Sequence, residues 1–223
     1  MLLYCDGITS MSDEQFKAFF ERMPISRQKK AMRYVRVEDR KLCVAAFALL
    51  DYALGLGGYR IGEYRFCEGE TGKPYLENFP LEFSLSHTSD AVACVVSKCE
   101  IGVDVQKKIS RYEDVMKRVC CENEIRFVSD SDNPSVDFTK IWTLKESYVK
   151  CKGTGISDNL SKYDFSDVAK NGGGKLNDYE FSMLDVGDCV LSVCSLEPID
   201  EIKKVSLWDL YASALKSDNQ SVK

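Results

Sequence analysis

Apolar residues along this chain recur with two periods, one typical of helices and one typical of strands. The segment SDEQFKAFFERM begins at Ser12 and has Gln15 three residues later, which is the pattern of a capping box. Phenylalanines then recur at helical spacing, so the segment predicts a helix with a buried aromatic stripe. Residues 26–54 predict a further helical stretch, polar at its start and apolar at its end, terminated by the glycines of 55–58.

Strand patterns dominate the middle of the chain. FSLSHTSD and AVACVVS predict two strands joined near Ser89 and Asp90, and IGVDV predicts another. Further on, SRYEDVMKRV has a second capping-box pattern, from Ser110 to Glu113, and KIWTLKESYVK predicts a helix. NGGGK predicts a loop and DCVLSVCS predicts a last strand.

A short internal repeat, which we call the echo, gives information about the fold. Asp90–Ser97 and Asp188–Ser195 match at the Asp, at both Val and at the Ser. Helices mixed with neighbouring antiparallel strands indicate an α+β fold, and the echo favours two similar halves. We expect an N-terminal half at 1–98, a C-terminal half at 99–215 and a disordered tail at 216–223.

Composition narrows the function classes. The chain has 223 residues, is 44% hydrophobic and 29% charged, and carries a net charge of −5, so general nucleic-acid binding is not expected. The longest apolar run, 42–50, is far shorter than the roughly 20 residues of a membrane span, and the N-terminus lacks a signal-peptide pattern. The ten cysteines form no C-x-x-C pair, so we expect them reduced, in a cytoplasmic protein without zinc.

A carboxylate interrupts the strand EIGVDVQ. Side chains alternate between the two faces of a strand, so Gly102, Asp104 and Gln106 share the face opposite to the apolar residues. Asp104 and Gln106 can therefore offer oxygens to one point. The same pattern also fits the exposed edge of a half-buried strand.

A second charged group lies in the helix IWTLKESYVK. Trp142, Glu146 and Lys150 are four residues apart and share one helix face. An exposed Glu–Lys pair would explain this spacing equally simply. Because apolar residues cover most of the remaining helix surface, the helix is expected to be buried, and a buried glutamate needs a cationic partner.

The two segments together predict a metal site. Asp104 and Glu146 supply two hard carboxylate oxygens, and Gln106 supplies a neutral one. Magnesium takes one or two carboxylates together with the oxygens of a bound phosphate. Lys145 and Lys150 flank the site and would neutralise a polyphosphate.

Two further polar segments are candidates for binding phosphate. Ser86 and His87 are adjacent on a strand and point to opposite faces, which argues against a serine hydrolase pair. A lone histidine is usually structural, but the Ser-His-Thr-Ser cluster could hold a phosphate. A basic run is either a solvated helix face or a local basic patch; its members are Arg27, Lys29, Lys30, Arg33, Arg36, Arg40 and Lys41.

The ordered set of these segments resembles the Sfp-type 4′-phosphopantetheinyl transferase family. IGVDVQ followed by WTLKESYVK resembles the family's G-[IV]-D and W-[ST]-x-K-E-[SA]-x-x-K signature. FSLSH resembles its F-x-x-S-H segment, TGKPYL its G-K-P, and the run ending in DRKL its basic N-terminal segment. The motifs span Lys29 to Lys150 in the family's order. Gln106 departs from many bacterial members, which carry an acidic residue there.

This resemblance implies a pseudo-duplicated α+β fold with the active site in the cleft between the halves. It implies a magnesium-dependent enzyme that transfers the 4′-phosphopantetheine arm of coenzyme A (CoA) to a serine of an apo acyl or peptidyl carrier protein and releases 3′,5′-ADP. The N-terminal half would bind the 3′-phosphate and adenine, and the C-terminal half would hold the metal and the catalytic residues. We expect a monomer that binds neither nucleic acid nor membrane.

The resemblance also assigns roles to individual residues. Asp104 and Glu146 bind magnesium on the CoA pyrophosphate, and Lys145 and Lys150 contact phosphate oxygens near the reacting centre. The CoA phosphates and adenine are met by Ser86, His87, Lys73, Arg40, Lys29, Lys30 and Arg33. Glu124 falls where some members carry a proposed general base.

Two alternative functions stay open on the sequence. One is another metal-dependent nucleotide phosphotransferase, although the chain has no G-x-x-x-x-G-K-[ST] loop. The other is a CoA- or carrier-binding protein that has lost catalysis. The joint presence of Lys145, Glu146 and Lys150 argues against the second alternative.

Overall fold

The centre of the fold consists of two four-stranded sheets, each covered by a long helix. The computed structural model describes residues 1–60, 63–69, 72–77, 79–155, 160–199 and 201–218. The first elements are β1 (Leu2–Asp6), α1 (Asp13–Arg22), α2 (Ile25–Arg33), α3 (Val37–Leu56), β2 (Arg65–Glu68), β3 (Pro74–Glu77), β4 (Glu82–Thr88), β5 (Ala91–Ser97) and β6 (Ile101–Lys107). The remaining elements are α4 (Glu113–Val119), α5 (Glu122–Ser129), α6 (Pro134–Lys152), α7 (Ser166–Asn171), β7 (Gly173–Leu176), β8 (Tyr179–Val186), β9 (Cys189–Ser195), β10 (Ile202–Lys204) and α8 (Leu207–Asp218).

The two sheets repeat one arrangement. The first has the order β10-β1-β5-β4 and the second the order β6-β9-β8-β7, while β2 and β3 form a separate hairpin. In each half a leading strand, β1 or β6, pairs antiparallel with the second strand of a hairpin, β4–β5 or β8–β9. The echo segments therefore form the equivalent strands β5 and β9. The predicted α+β fold with two similar halves is confirmed.

Burial on both faces explains why the central strands are almost wholly apolar. Helix α3 packs on β5 and β4, and α6 packs on β6 and β9. The opposite sheet faces meet each other in a shared core that includes Ala93, Val95, Val103 and Val193. A strand covered on both sides has no polar face to alternate with, so its sequence is a continuous apolar run. In β6 the odd-numbered residues 101–105 face this shared core, as predicted.

Helix α6 lies unusually close to β6 at Gly102. A Cβ atom at this position would overlap the Ser147 carbonyl oxygen and the Cys151 backbone nitrogen. Glycine therefore permits the helix backbone to approach the strand directly. Asp104 lies two residues further along the same strand face, so this contact brings it beside the face of α6.

The first predicted helix has the expected start. Ser12 caps α1, its hydroxyl accepts the Gln15 N–H at 3.2 Å, and the Gln15 side chain accepts the Ser12 N–H at 3.0 Å. The helical stretch predicted over 26–54 is divided into α2 and α3. The chain is extended at Tyr34 and Arg36, and the Arg40 Nε donates to the Tyr34 carbonyl at 2.7 Å.

Two other local predictions are wrong. Helix α4 begins at Glu113 with Tyr112 as its N-cap, so Ser110 and Glu113 form no capping box. A capping box occurs instead at the start of α5, where the Cys121 thiol and the Glu124 carboxylate each pair with the other's backbone N–H. NGGGK is not a loop: its glycines open the edge strand β7, where Gly173 passes too close to the partner strand for a side chain.

The end of the chain returns to the first sheet. Strand β10 pairs parallel with β1, and α8 packs on α1 and α3, although residues 201–215 were predicted to lie with the C-terminal half. The division at residue 98 stays a prediction. Residues 216–218 complete α8, while 219–223 of the predicted tail lie outside the described residues. No helix in the described ranges is long and apolar enough to cross a bilayer.

Candidate active site

A compact polar cluster joins the two halves where β4, β6 and α6 meet. The Lys150 ammonium lies 2.6 Å from Asp104 Oδ1 and donates to the Ser86 hydroxyl at 3.0 Å. The Ser86 hydroxyl in turn donates to Asp104 Oδ1 at 2.8 Å. Asp104 and Ser86 are buried, whereas Lys150 keeps about a third of its side chain exposed. The cluster therefore contains a buried anion, Asp104, and a partly exposed cation, Lys150.

Glu146 adds a second carboxylate one helical turn before Lys150. Its Oε1 atom is buried and has no hydrogen-bond partner among the described residues. Burial raises the pKa of Glu146, the nearby Asp104 carboxylate raises it further, and Lys150 opposes both effects. A buried carboxylate oxygen without a partner is costly, so this position favours a cationic ligand.

The donor set fits a hard divalent cation. Asp104 and Glu146 face one another closely enough for their charges to interact, and both lie in a water-poor junction. A magnesium ion would supply the partner that Glu146 Oε1 lacks. Gln106 follows on the same face of β6 and is half-buried, which leaves its amide oxygen as the neutral candidate ligand.

A cavity of about 290 Å³ opens beside this cluster. Glu146 and Lys150 form part of its wall, and Phe83, Leu85 and Val149 supply apolar surface. Mostly apolar cavities with a few convergent polar groups are typical ligand sites. Here the polar groups are the candidate catalytic ones.

His87 lies beside charges of both signs. It is exposed, yet desolvation by the side chains around it lowers its pKa, and the Lys150 and Arg27 charges lower it further. Asp39 and Asp104 act in the opposite direction. Two cations, Lys150 and Arg27, therefore lie near His87 together with two carboxylates.

Arg27 is a further cation near His87. The predicted set of phosphate-binding residues did not include it. Its guanidinium is more than nine-tenths buried, lies over the Phe66 ring at 5.0 Å and approaches Glu68 at 3.7 Å. Its Nε atom has no hydrogen-bond partner within the described ranges. The sequence carried one signal for it, since Arg27 and Ala31 are four residues apart on the buried side of α2.

The other predicted phosphate ligands are dispersed. Lys29 and Arg33 are exposed on α2, Lys30 pairs with Glu68 at 3.2 Å, and Arg40 caps a backbone carbonyl. Lys73 lines the cavity, where its ammonium donates to the last turn of α6 at the Cys151 carbonyl, 3.0 Å away.

The structure does not bring Lys145 and Glu124 to the cluster. Lys145 is completely buried and lies 2.8 Å from Glu124 Oε1, which is also completely buried. The ammonium donates to the Leu160 and Tyr163 carbonyls, both at 2.8 Å, and Glu124 accepts the Cys121 and Phe165 N–H groups. All these groups are satisfied within the protein, so the pair joins α5, α6 and residues 160–165 instead of facing a ligand.

Ser86 also differs from its predicted role. A hydroxyl has one donor and two acceptor positions. The Ser86 hydroxyl donates to Asp104 and accepts from Lys150 and from the Val105 N–H, so all three positions are occupied. It has no donor left for a phosphate. The alternating Ser-x-Ser-x-Thr of residues 84–88 was the sequence signal for a different role.

Cations, a carboxylate pair and an apolar cavity together make this cluster the candidate active site. Residues 100–194 match the sequence model of the 4′-phosphopantetheinyl transferase superfamily (ACPS). That segment includes β6 and α6, and with them Asp104, Glu146 and Lys150.

Similarity to characterised proteins extends further along the chain. The L-aminoadipate-semialdehyde dehydrogenase-phosphopantetheinyl transferase of Saccharomyces cerevisiae is 30% identical over 174 residues, covering 71% of this chain and 64% of that protein. The 4′-phosphopantetheinyl transferase gsp of Aneurinibacillus migulanus is 29% identical, over 58% of this chain and 56% of its own length. The 4′-phosphopantetheinyl transferase Sfp of Bacillus subtilis is 25% identical, with coverages of 69% and 70%.

Over residues 100–194 the chain is similar to the 4′-phosphopantetheinyl transferase superfamily, and its matched relatives include Sfp-type proteins. It spans less than two thirds of the length of the first two of these relatives.

Proposed function

We propose that this protein transfers the 4′-phosphopantetheine arm of CoA to a serine of an apo acyl or peptidyl carrier protein. The observation that supports this most directly is the pair of carboxylates beside Lys150, namely the buried Asp104 and the half-buried Glu146, inside the segment that matches the superfamily. The serine oxygen attacks the phosphorus that carries the pantetheine arm. The bond from that phosphorus to 3′,5′-ADP breaks, and the serine proton passes to a base.

Asp104 and Glu146 would hold a magnesium ion, with Gln106 as a neutral third ligand. When bound, the metal neutralises charge on the diphosphate and on the leaving group. The unpartnered Glu146 Oε1 is the protein atom that supports this assignment. These hard oxygen ligands suit magnesium and manganese alike.

The cations of the cleft would hold the CoA phosphates. The Lys150 ammonium uses two of its three donors on Asp104 and Ser86, and its side chain is 30% exposed, so the third would be available to a phosphoryl oxygen. His87 and the buried Arg27 form the second cationic point, and the exposed Lys29 and Arg33 add to its field. The apolar cavity beside Glu146 suits the pantetheine arm.

Glu124 is a poor candidate for the proton acceptor, because the Lys145 ammonium and two backbone N–H groups already pair with its carboxylate. Glu124 is fully buried against Lys145, and no incoming hydroxyl reaches it in this arrangement.

The test is direct. The protein is incubated with CoA, magnesium and an apo carrier protein, and mass spectrometry follows the addition of phosphopantetheine to the carrier. A carrier whose acceptor serine is replaced by alanine is the control. Asp104→Ala and Glu146→Gln should nearly abolish transfer while their circular dichroism spectra stay native.

The outcomes separate the proposal from the alternatives. CoA binding by calorimetry without transfer to any acyl or peptidyl carrier would mean a binding protein that has lost catalysis. Consumption of other nucleotides instead of CoA would mean a different phosphotransferase. Wild-type transfer by Asp104→Ala in limiting magnesium would remove the metal site from the mechanism.

A further inference from the structure

Side-chain hydroxyls, not backbone atoms, connect the two halves along β4 and β6. These strands are the neighbouring edges of the two sheets, and they contact each other over their whole length. We call the three β4 side chains involved the hydroxyl ladder. Its hydrogen bonds are Val103 N–H to Ser84 Oγ at 3.1 Å, Val105 N–H to Ser86 Oγ at 3.2 Å and Lys107 N–H to Thr88 Oγ1 at 3.3 Å.

The ladder replaces a row of backbone hydrogen bonds. Its partners advance by two residues on both strands, so β4 and β6 run in the same direction. The N–H groups of Val103, Val105 and Lys107 each find an acceptor on β4. Ser84, Ser86 and Thr88 are all buried. Buried N–H groups without an acceptor are costly, so the ladder fixes the register between the halves.

Ser86 is the ladder member that also reaches the candidate active site. Besides accepting the Val105 N–H, its hydroxyl donates to Asp104 Oδ1 at 2.8 Å and accepts from Lys150 at 3.0 Å. Among the described residues, both hydrogen bonds that the Asp104 carboxylate accepts fall on Oδ1. That leaves Oδ2 as the oxygen available to a further ligand.

We propose that Ser86 is a positioning residue that sets the orientation of Asp104 and Lys150, and that it does not itself bind phosphate. The inference rests on the proposed function, because it concerns the same metal and phosphate site. The ladder fixes the register between the halves. Because Ser86 belongs to the ladder and also bonds to Asp104, that register sets the position of the carboxylate that would hold the metal. An outer hydrogen bond of this kind orients a metal ligand and lowers the cost of ordering it on binding.

Thr88→Val is the matched control for Ser86→Ala. Each substitution removes one buried hydroxyl and one acceptor for a β6 N–H, but only Ser86 contacts Asp104 and Lys150. Both variants should lose resistance to urea, and Ser86→Ala should lose more because it also removes the hydrogen bonds to Asp104 and Lys150. Ser84→Ala provides a second measure of the same structural effect.

Manganese binding in the absence of carrier protein separates the two roles. Electron paramagnetic resonance of free Mn²⁺, titrated with folded protein and CoA, gives the dissociation constant without any turnover. Ser86→Ala should weaken Mn²⁺ binding by about 10- to 100-fold, the range seen when outer-shell partners are removed. Thr88→Val and Ser84→Ala should stay near wild type, and Ser86→Thr, which keeps the hydroxyl, should restore most of the affinity.

Equal Mn²⁺ affinity for Ser86→Ala and Thr88→Val would overturn the proposal, as would an undetectable Mn²⁺ site in the wild type. If Ser86→Ala does not fold, Ser86→Cys, with a weaker donor of similar size, takes its place and should show an intermediate loss. A wild type that binds Mn²⁺ but modifies no carrier protein would refute the proposed function alone. The comparison between Ser86 and Thr88 variants would still decide the positioning role.

Discussion

Charge at the candidate site is balanced by a few neighbouring groups on separate elements. Asp104 has the Lys150 ammonium on one oxygen, while Glu146 has a buried oxygen with no partner within the described ranges. Removing either the cation or a carboxylate would leave an uncompensated charge in a poorly hydrated junction. Under the proposed function, a metal bound at Asp104 would replace this ion pair and leave Lys150 available to a phosphate.

His87 gives the site a testable pH response. Desolvation lowers its pKa below the ordinary value near 6.5, so the stability contributed by its neutral ring is present above that pH and is lost as the pH falls below it. Bound phosphate would stabilise the charged ring. We therefore expect CoA binding to take up a proton and to tighten as the pH falls below neutrality, measured by calorimetry in buffers of different ionisation enthalpy.

His87→Gln is the control for this prediction. Glutamine keeps a hydrogen-bond donor but does not titrate, so both the proton uptake and the pH slope should disappear. An unchanged slope would assign the titration to another group near His87, which faces Lys150, Arg27, Asp39 and Asp104.

Glu124 is predicted to be structural. Because Glu124→Gln leaves the completely buried Lys145 without its counter-charge, it should lower the free energy of unfolding by roughly 3–5 kcal/mol, measured by urea denaturation. Lys145→Met should cost a similar amount. The double variant Glu124→Leu with Lys145→Met should lose less than the sum of the two single changes.

Transfer kinetics of the folded Glu124→Gln protein decide between this role and general base catalysis. A structural residue leaves the turnover number within a few-fold of wild type at a temperature where the variant is folded. A fall of about 10²–10⁴-fold without loss of stability would instead identify Glu124 as the base.

At the scale of elements, the contact between α6 and β6 is the feature that creates the site. Glu146 and Lys150 on the helix meet Asp104 on the strand only because the backbones approach each other at Gly102. The helix also carries its own stop signal, since Gly153 takes a left-handed conformation and its N–H bonds to the Val149 carbonyl.

Gly102→Ala should therefore damage both stability and activity. The added methyl group overlaps two backbone atoms of α6, which cannot rotate away as a side chain does, so we expect a loss of about 1–3 kcal/mol or more in urea denaturation. Transfer should fall further than stability, because the helix carrying Glu146 and Lys150 must shift.

Gly55→Ala is the matched control for this change. Gly55 lies in α3, has no atom within 4 Å of the added Cβ and needs no left-handed backbone. Alanine there should stabilise the protein by roughly 0.4–1 kcal/mol and leave transfer unchanged. Similar behaviour of the two alanine variants would contradict the close packing at Gly102.

At the scale of the whole molecule, a shared core and the ends of the chain unite the halves. The faces of the two sheets that point away from α3 and α6 pack on each other, and the C-terminal segment closes the first sheet through β10. The N-terminal half thus depends on residues from both ends of the sequence. We expect deletion of α8 to expose its apolar partners on α1 and α3.

The cysteines fit a fold held together without covalent crosslinks. All ten are free, and most are buried, where desolvation raises the pKa of Cys5 and Cys120 to about 12 and that of Cys189 to about 11. We expect ten thiols to react with a chromogenic disulfide after denaturation without reductant, and only a few in the native protein. A smaller total would reveal disulfides that this arrangement does not contain.

Local patterns predict much of the secondary structure and suggest which residues form the centre of the candidate site. The period of two in EIGVDVQ placed Asp104 opposite the apolar face, and the spacing of four placed Glu146 and Lys150 together on one side of a helix. Both predictions depend only on the backbone geometry of a few neighbouring residues, and that geometry sets the period with which side chains recur on one face. Helix caps were harder to predict. The capping box at α1 is present and the one expected at α4 is not, because a cap competes with the packing around it.

Which charges meet depends on how the strands and helices pack together. Ser86 and Asp104 are 18 residues apart, and Asp104 and Lys150 are 46 residues apart, so no local pattern joins them. The partner of Lys145 is also set by tertiary packing. Lys145 lies next to Glu146 in sequence but points into a different core and pairs with Glu124. Neighbours on a helix differ by about 100° in direction. Adjacent residues of one motif therefore end in different environments, and the packing of α6 against β6 selects the ones that reach the cleft.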